Sequence, residues 1–490
     1  MSIERRIRLG FLCCTALFLC ATPTLGDPKP LSKEEQAKVD KAIEKAVAYL
    51  KREQTVEGGW PGFWGKFFPV GNCLLPAYAL LEAGVPSDDP VIQKAAKYIR
   101  EKIGDNDRTY ELSLGVLFFD RLGEPKDKRL IQTLALRLIA GQHPTGGWSY
   151  YCPASKPLKA RDARVNRPPT LAGTKDPTFL FRCPLLKSED EGKLRELLME
   201  LDKRMEVGEK PTTAMIKKLG VPRSLQYLSV FKDRARLNWR EPAETALLHS
   251  LDFGVTDNSN TQFAMLALWV AQQHEIPVRS TFDLLNERFE RSQRIDGNWG
   301  YVTSSQATTT SMTCVGLLGL AIGRGMPLSR ASKPTPIVDD LRILGGLAAI
   351  YQEIGTPTGQ MEKPVPHSEV YFLWSLERLG MLYNLPAIGD KDWYRWGAED
   401  LVTNQSRDGS WGGATAKNAQ QQALCGGYGN ALNPAFALLF LKRSHPMKDL
   451  TPKLAVNAKE LNQGIARLLR DPKMLEKLSS GSSPKSSSGR

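Results

Sequence analysis

The chain has 490 residues, 41% of them hydrophobic and 24% charged, which is ample for a large core, whether in one big repeat domain or three ordinary ones. The formal net charge is +13. No zinc-finger spacing or RNA-recognition signature accompanies it, so nucleic acid is not an expected partner, whereas an anionic membrane face or glycan suits a basic surface.

Residues 1–26 read as a signal peptide. Arg5, Arg6 and Arg8 form the positive end, an apolar run follows over 9–21, and Thr24-Leu25-Gly26 is a small-residue cleavage site. The mature protein is therefore expected to be secreted or periplasmic. Past the leader, Cys73, Cys152, Cys183, Cys314 and Cys425 remain. Cys73 and Cys314 fall in apolar helical runs and read as buried thiols. Cys152 and Cys183 flank a loop and are placed to pair in an oxidising compartment.

Ser32 with Glu35 makes a capping box for a helix over 33–51, whose apolar residues Val39, Ile43, Val47 and Leu50 keep helical spacing. A nearly all-apolar helix follows over 71–81, too hydrophobic for anything but burial on most sides. Asp89-Pro90 opens another amphipathic helix, 112–119 is a second apolar one, and 129–140 a third amphipathic one. Residues 153–184 are rich in Pro and basic residues and read as a loop; 188–206 and 211–232 read as helical but so charged that a solvated insertion is expected. The alternation resumes with apolar helices over 263–271, 315–322 and 370–382, an amphipathic one over 281–292, another helix over 338–354, and a last apolar segment over 434–439. The resulting division is 1–26 leader, 27–152 first part of the helical array, 153–240 insertion, 241–444 second part, and 445–490 a charged to Ser-rich, partly disordered tail.

Four times the amphipathic helix ends in one spelling: Gln, three residues, Gly, one residue, Trp. The copies are Gln54-Gly58-Trp60, Gln142-Gly146-Trp148, Gln293-Gly297-Trp299 and Gln405-Gly409-Trp411, each preceded four positions earlier by Leu50, Leu138, Phe289 or Leu401. Gly supplies backbone freedom just past a helix end. Trp is a large apolar plug with a donor N–H. The Gln amide is expected to bond orphan backbone groups at a neighbouring helix end. Pro76-Ala-Tyr-Ala-Leu-Leu81 and Pro434-Ala-Phe-Ala-Leu-Leu439 are near-identical, so the ends of the array match, as expected of a ring.

Alternating amphipathic and apolar helices joined by these turns resemble the α/α toroid of the terpenoid cyclases and of protein prenyltransferase β subunits, over roughly residues 33–152 and 241–444. The turns match the cyclase QW motif at Gln, Gly, Trp and the preceding apolar residue, without its leading Lys/Arg-Gly. The resemblance implies an all-α, α/α toroid. It does not carry the activity across, because the cyclase acid runs Asp-x-Asp-Asp and Asp-Cys-Thr-Ala-Glu are absent. Val338-Asp339-Asp340 comes nearest and reads as a solvated N-cap. Of the prenyltransferase zinc ligands only Cys314 and His367 have counterparts, with Met312 in the place of the Asp; zinc needs three or four protein ligands. No metal or other cofactor is expected.

In such a ring the starts of the inner helices gather at one mouth. Glu111, His367 and Glu369 are the acid–base candidates there, and Asn72, Asn260, Gln262, Thr313, Tyr371 and Trp374 the ligand-binding candidates. Tyr78, Phe118, Trp269 and Phe372 are further aromatics for the cavity wall. Their alternative role is to cap helices and fill the core. The function expected is an exported cyclase- or prenyltransferase-like toroid with a lipid, isoprenoid or glycan ligand at its centre; a non-catalytic binding or scaffold toroid and a polysaccharide-active toroid are the alternatives.

Overall fold

The computed structural model of the chain describes residues 30–62, 68–152, 186, 188–237, 256–303, 307–326, 336–361, 369–411 and 431–475. The expected leader, Cys183, His367, Cys425 and the Ser-rich end of the tail lie outside these residues. In chain order the helices are α1 (Lys33–Arg52), α2 (Gly71–Glu82), α3 (Pro90–Ile103), α4 (Thr109–Leu122), α5 (Lys128–Ala140), α6 (Ser188–Glu206), α7 (Thr213–Leu219), α8 (Asn258–Ala271), α9 (Arg279–Ser292), α10 (Thr310–Gly325), α11 (Leu341–Glu353), α12 (Val370–Leu382), α13 (Trp393–Asn404), α14 (Leu432–Leu441), α15 (Thr451–Leu454) and α16 (Ala458–Arg470). Among the described residues there are isolated β-bridges but no named strand.

The apolar helices form a closed inner ring. α2 packs on α4, α4 on α8, α8 on α10, α10 on α12, α12 on α14, and α14 back on α2. Burial follows composition: every residue of α8 is buried, and so is α2 from Gly71 to Leu81. The helices α1, α3, α5, α9, α11 and α13 form the outer layer; α3 buries one stripe through Ile92, Ala95, Ala96, Ile99 and Ile103, whereas α5 is buried throughout from Leu134 to Ala140. The capping box of α1 is present in both directions, and Asp89 caps α3 by accepting from the Val91 N–H. The chain is an all-α, α/α toroid.

The four turns are built alike. The Trp indole N–H donates to the carbonyl of the apolar residue ten positions earlier: Trp60 to Leu50, Trp148 to Leu138, Trp299 to Phe289, Trp411 to Leu401. The Gln amide donates twice. One bond closes the turn on the Gly carbonyl. The other reaches the next outer helix, at the carbonyls of Val91, Thr281, Arg342 and Ala42. These carbonyls belong to first turns or, for Ala42, to mid-helix, so they are not the orphan groups expected of the Gln. A carbonyl has a second lone pair, and the amide uses it.

The Gly of each turn is required twice over. Its φ is positive, from +81° at Gly146 to +100° at Gly58. It also lies against the backbone of that same outer helix: a Cβ at Gly146 would stand 2.2 Å from the Leu284 carbonyl oxygen, and one at Gly409 2.3 Å from that of Lys45. In every turn the residue that receives the Gln amide lies three positions before the one that the Gly touches (Val91 and Lys94, Thr281 and Leu284, Arg342 and Gly345, Ala42 and Lys45). The turn thus grips one helical turn of its neighbour, on one face.

Three segments differ from the sequence reading. α6 is docked rather than solvated: it buries Leu194, Leu198, Leu201 and Met205 against the outer layer, and its Asp202 carboxylate accepts the first N–H groups of α9, from Arg279 and Ser280. Two of its acids, Glu191 and Asp202, turn inward with the leucines and bond the neighbouring helices. The start of the tail is helical, and α16 packs Leu461, Ile465 and Leu468 on α11. Asp340 does cap α11, accepting from the Arg342 N–H, but it is buried and paired with Arg324 rather than solvated.

Candidate functional site

The first turns of all six inner helices border one cavity of about 380 Å³. Asn72 and Leu75 come from α2, Tyr110 and Leu114 from α4, Ser259 and Phe263 from α8, Ser311 and Met312 from α10, Tyr371 from α12, and Leu432 and Phe436 from α14. Phe68, Tyr150 and Tyr301 enter from the segments that lead into or follow the turns, and Glu369 from the N-cap of α12.

The rings form a connected wall. Tyr110 stands edge-on to Phe68, Tyr150 and Phe263, at centroid distances of 5.7, 5.8 and 5.2 Å. Tyr371 meets Phe436 edge-on at 5.6 Å. The hydroxyls bond to one another: Tyr110 donates to Ser259 Oγ (2.8 Å), Ser259 Oγ lies 2.9 Å from the Tyr371 hydroxyl, and Tyr371 donates to Gln262 Oε1 (2.6 Å). Tyr150 and Tyr301 pair through their hydroxyls at 3.1 Å. With the oxygens so engaged, the cavity presents mainly ring faces and aliphatic carbon.

Glu369 is the one acidic or basic side chain among the described lining residues. Burial pushes its carboxyl above the usual range, and a hydrogen bond from Ser311 acts against that rise. Glu111 has a different place. It is fully buried behind Gly71, where Oε1 accepts the Val70 and Gly71 N–H groups, each at 2.7 Å, and Oε2 accepts from Asn106 Nδ2. Burial raises its pKa in spite of these bonds. It anchors the start of α2 and does not line the cavity. Cavity access thus separates the two carboxylates, and His367 lies outside the described residues.

The polar starts of the inner helices hold the turns. Asn72 Nδ2 donates to the Trp60 carbonyl and Asn433 Nδ2 to that of Trp411. Thr313 Oγ1 accepts from the Trp299 N–H and Thr261 Oγ1 from the Trp148 N–H. Asn72 still borders the cavity; Thr313 does not. Asn260 is bound through its N–H and Nδ2 to the Asp257 carboxylate, each at 2.7 Å. Gln262 lies one layer out, between Tyr371 and Ser375. Trp374 packs against Phe263 and Phe436, with Arg378 over its ring at 4.4 Å, and is core rather than lining. Tyr78, Phe118, Trp269 and Phe372 are likewise buried away from the cavity. The described lining residues all lie within the first six positions of their helices or in the segments beside them.

Asp257, the N-cap of α8, is a buried acid that bonds the Tyr301 hydroxyl. Burial lifts its carboxyl from an ordinary 3.8 to about 6, while bonds from Asn260, the charge of Arg288 and the Tyr301 hydroxyl hold it back. Tyr150 and Tyr301 escaped the sequence reading, although each follows its turn's Trp by two residues, a signal present in the second and third turns alone.

No group of three or more His, Cys, Asp or Glu among the described residues could hold a metal ion. Cys314 is a buried thiol whose ionisation burial opposes. Cys152 carries a free thiol in contact with Thr109 Oγ1.

Residues 29–113, which include the first turn, α2 and the start of α4, match the squalene-hopene cyclase C-terminal domain. Within the chain, 65 residues are 45% identical to squalene--hopene cyclase of Bradyrhizobium diazoefficiens, covering 13% of this chain and 10% of that protein. A 59-residue stretch is 39% identical to a probable squalene--hopene cyclase of Sinorhizobium fredii, covering 12% and 9%. The matched stretch is thus similar to squalene-hopene cyclases, and the chain that contains it is an α/α toroid. The alignments span about a tenth of the length of these curated relatives. The matched stretch holds the grip of the first turn on α3 and the Glu111 anchor of α2.

Proposed function

We propose that this chain is an exported toroid that binds one apolar molecule, of the lipid or isoprenoid kind, in its ring cavity. The supporting observation is the closed hydroxyl network of Tyr110, Ser259, Tyr371 and Gln262. It leaves the wall without free hydrogen-bonding groups of the number a sugar demands, and with ring faces that suit hydrocarbon. About 380 Å³ lies within the 300–1,000 Å³ range typical of small-molecule sites and suits a single chain or ring system. A reaction on that ligand would draw on Glu369, the one acidic side chain among the described lining residues. The leader-like residues 1–26 and the net charge of +13 support residence in the cell envelope, beside an anionic surface.

The test is binding by purified residues 27–490, followed by aromatic fluorescence and melting temperature. Squalene and a C15 isoprenoid alcohol should quench saturably and raise the melting temperature. An oligosaccharide that saturates where neither apolar ligand does would sink this reading in favour of a glycan site.

A further inference from the structure

Six inner helices direct their starts toward one mouth, and helix starts favour anions. In this ring the protein's own groups already occupy three of the six positions. Glu111 takes the first N–H groups at the start of α2, Asp257 accepts at the start of α8, and the Thr309 hydroxyl accepts at the start of α10. Two of these three caps are carboxylates, so they place negative charge where a phosphate would sit.

The cations nearby are turned elsewhere. Arg108 lies over the rings of Phe68 and Tyr151, at 5.3 and 5.2 Å, with Glu111 3.9 Å away. Arg288 is fully buried and bonds Asn258, Thr145 and Thr256. Among the described residues that line the cavity there is no Lys, Arg or His, and Glu369 is the one charged group. The ring faces around it carry negative quadrupole charge.

We infer that the cavity is a site for an apolar ligand bearing a cationic nitrogen, with the ammonium held between Glu369 and the rings of Tyr371 and Phe436, and that it rejects phosphorylated chains. This rests on the apolar-ligand reading of the cavity and adds the head group. An ammonium in that position meets a carboxylate and π-faces in a partly desolvated site, where both attractions strengthen. A phosphate there meets Glu369 with no described lining cation to offset it, and finds the starts of α2, α8 and α10 already capped.

The experiment compares three probes with one C15 isoprenoid chain and different heads: a primary amine, an alcohol and a monophosphate. Affinities are read from aromatic quenching on the full mature chain at pH 7. The amine should bind about tenfold more tightly than the alcohol, and the monophosphate more weakly than either. In Glu369→Gln the amine should lose its advantage and fall to the affinity of the alcohol. A monophosphate that binds as tightly as the amine overturns the inference while leaving the apolar-ligand reading in place. So does an amine preference that survives Glu369→Gln in protein whose circular dichroism matches the parent. Failure of all three probes to bind overturns the apolar-ligand reading and this inference with it. The ranking on the parent protein needs no variant, so misfolding of Glu369→Gln does not remove the test.

Discussion

The side-chain amide of Gln405 donates to the carbonyl of Ala42, 363 residues earlier, at 2.9 Å. This bond puts the last turn on the first helix in the way each earlier turn grips its successor, and so closes the ring. Arg395 of α13 pairs with Glu35 of α1 across the same seam, and Ser444 donates to Glu82 at 2.7 Å.

Gln405→Ala removes two hydrogen bonds, to Ala42 and to Gly409. A loss of about 2 kcal/mol is expected from urea unfolding. Trp411→Ala should cost more, roughly 3–5 kcal/mol, because it empties a buried indole site as well as losing the bond to Leu401. An unchanged melting temperature in the Trp variant would remove the turn's packing role.

Glycine substitutions separate backbone strain from close approach. Gly123 has φ +75° and open space around it, so Gly123→Ala should cost about 1 kcal/mol. Gly146 has φ +81° and the Leu284 carbonyl in the way, so Gly146→Ala should add a further 1–3 kcal/mol of overpacking. Equal melting temperatures for the two variants would contradict the grip of the turn on α9.

Glu111→Ala leaves the N–H groups of Val70 and Gly71 and the amide of Asn106 without their acceptor. About 3 kcal/mol of stability should be lost, as buried donors to a carboxylate are expensive to strand. Hydrogen exchange should rise first at the start of α2, next to the cavity.

Asp257 supplies a pH signature. Its folded pKa, about 6, lies above the ordinary 3.8, so the native state holds the proton more firmly than the unfolded chain. The contribution of this group is full below about pH 4 and is lost as pH rises through 6, on the order of 2–3 kcal/mol in total. Asp257→Asn keeps a capping side chain without the charge. The stability difference between parent and variant should therefore change between pH 4 and 6 and stay level from pH 7 to 8; a constant difference from pH 4 to 7 would refute the assignment.

The sequence by itself determined the elements and their class. Past their polar starts, inner helices such as α8 are apolar on all sides and have no solvated alternative, while outer helices such as α3 carry one apolar stripe and sort to the rim. The Gln, Gly and Trp of each turn were legible because a positive φ, a buried indole and a two-donor amide each call for one residue type. The tertiary structure alone decided what each polar residue at the mouth does. Glu111 and Glu369 look alike in sequence, as acids at inner-helix starts; one is enclosed by the N–H groups of α2 and the other borders the cavity. Tyr371 and Trp374 are three residues apart on one helix, yet only Tyr371 lines the centre. Local pattern fixes which side of a helix is buried. Whether a buried side meets a neighbouring helix or the shared cavity depends on where six helices, distant in sequence, converge.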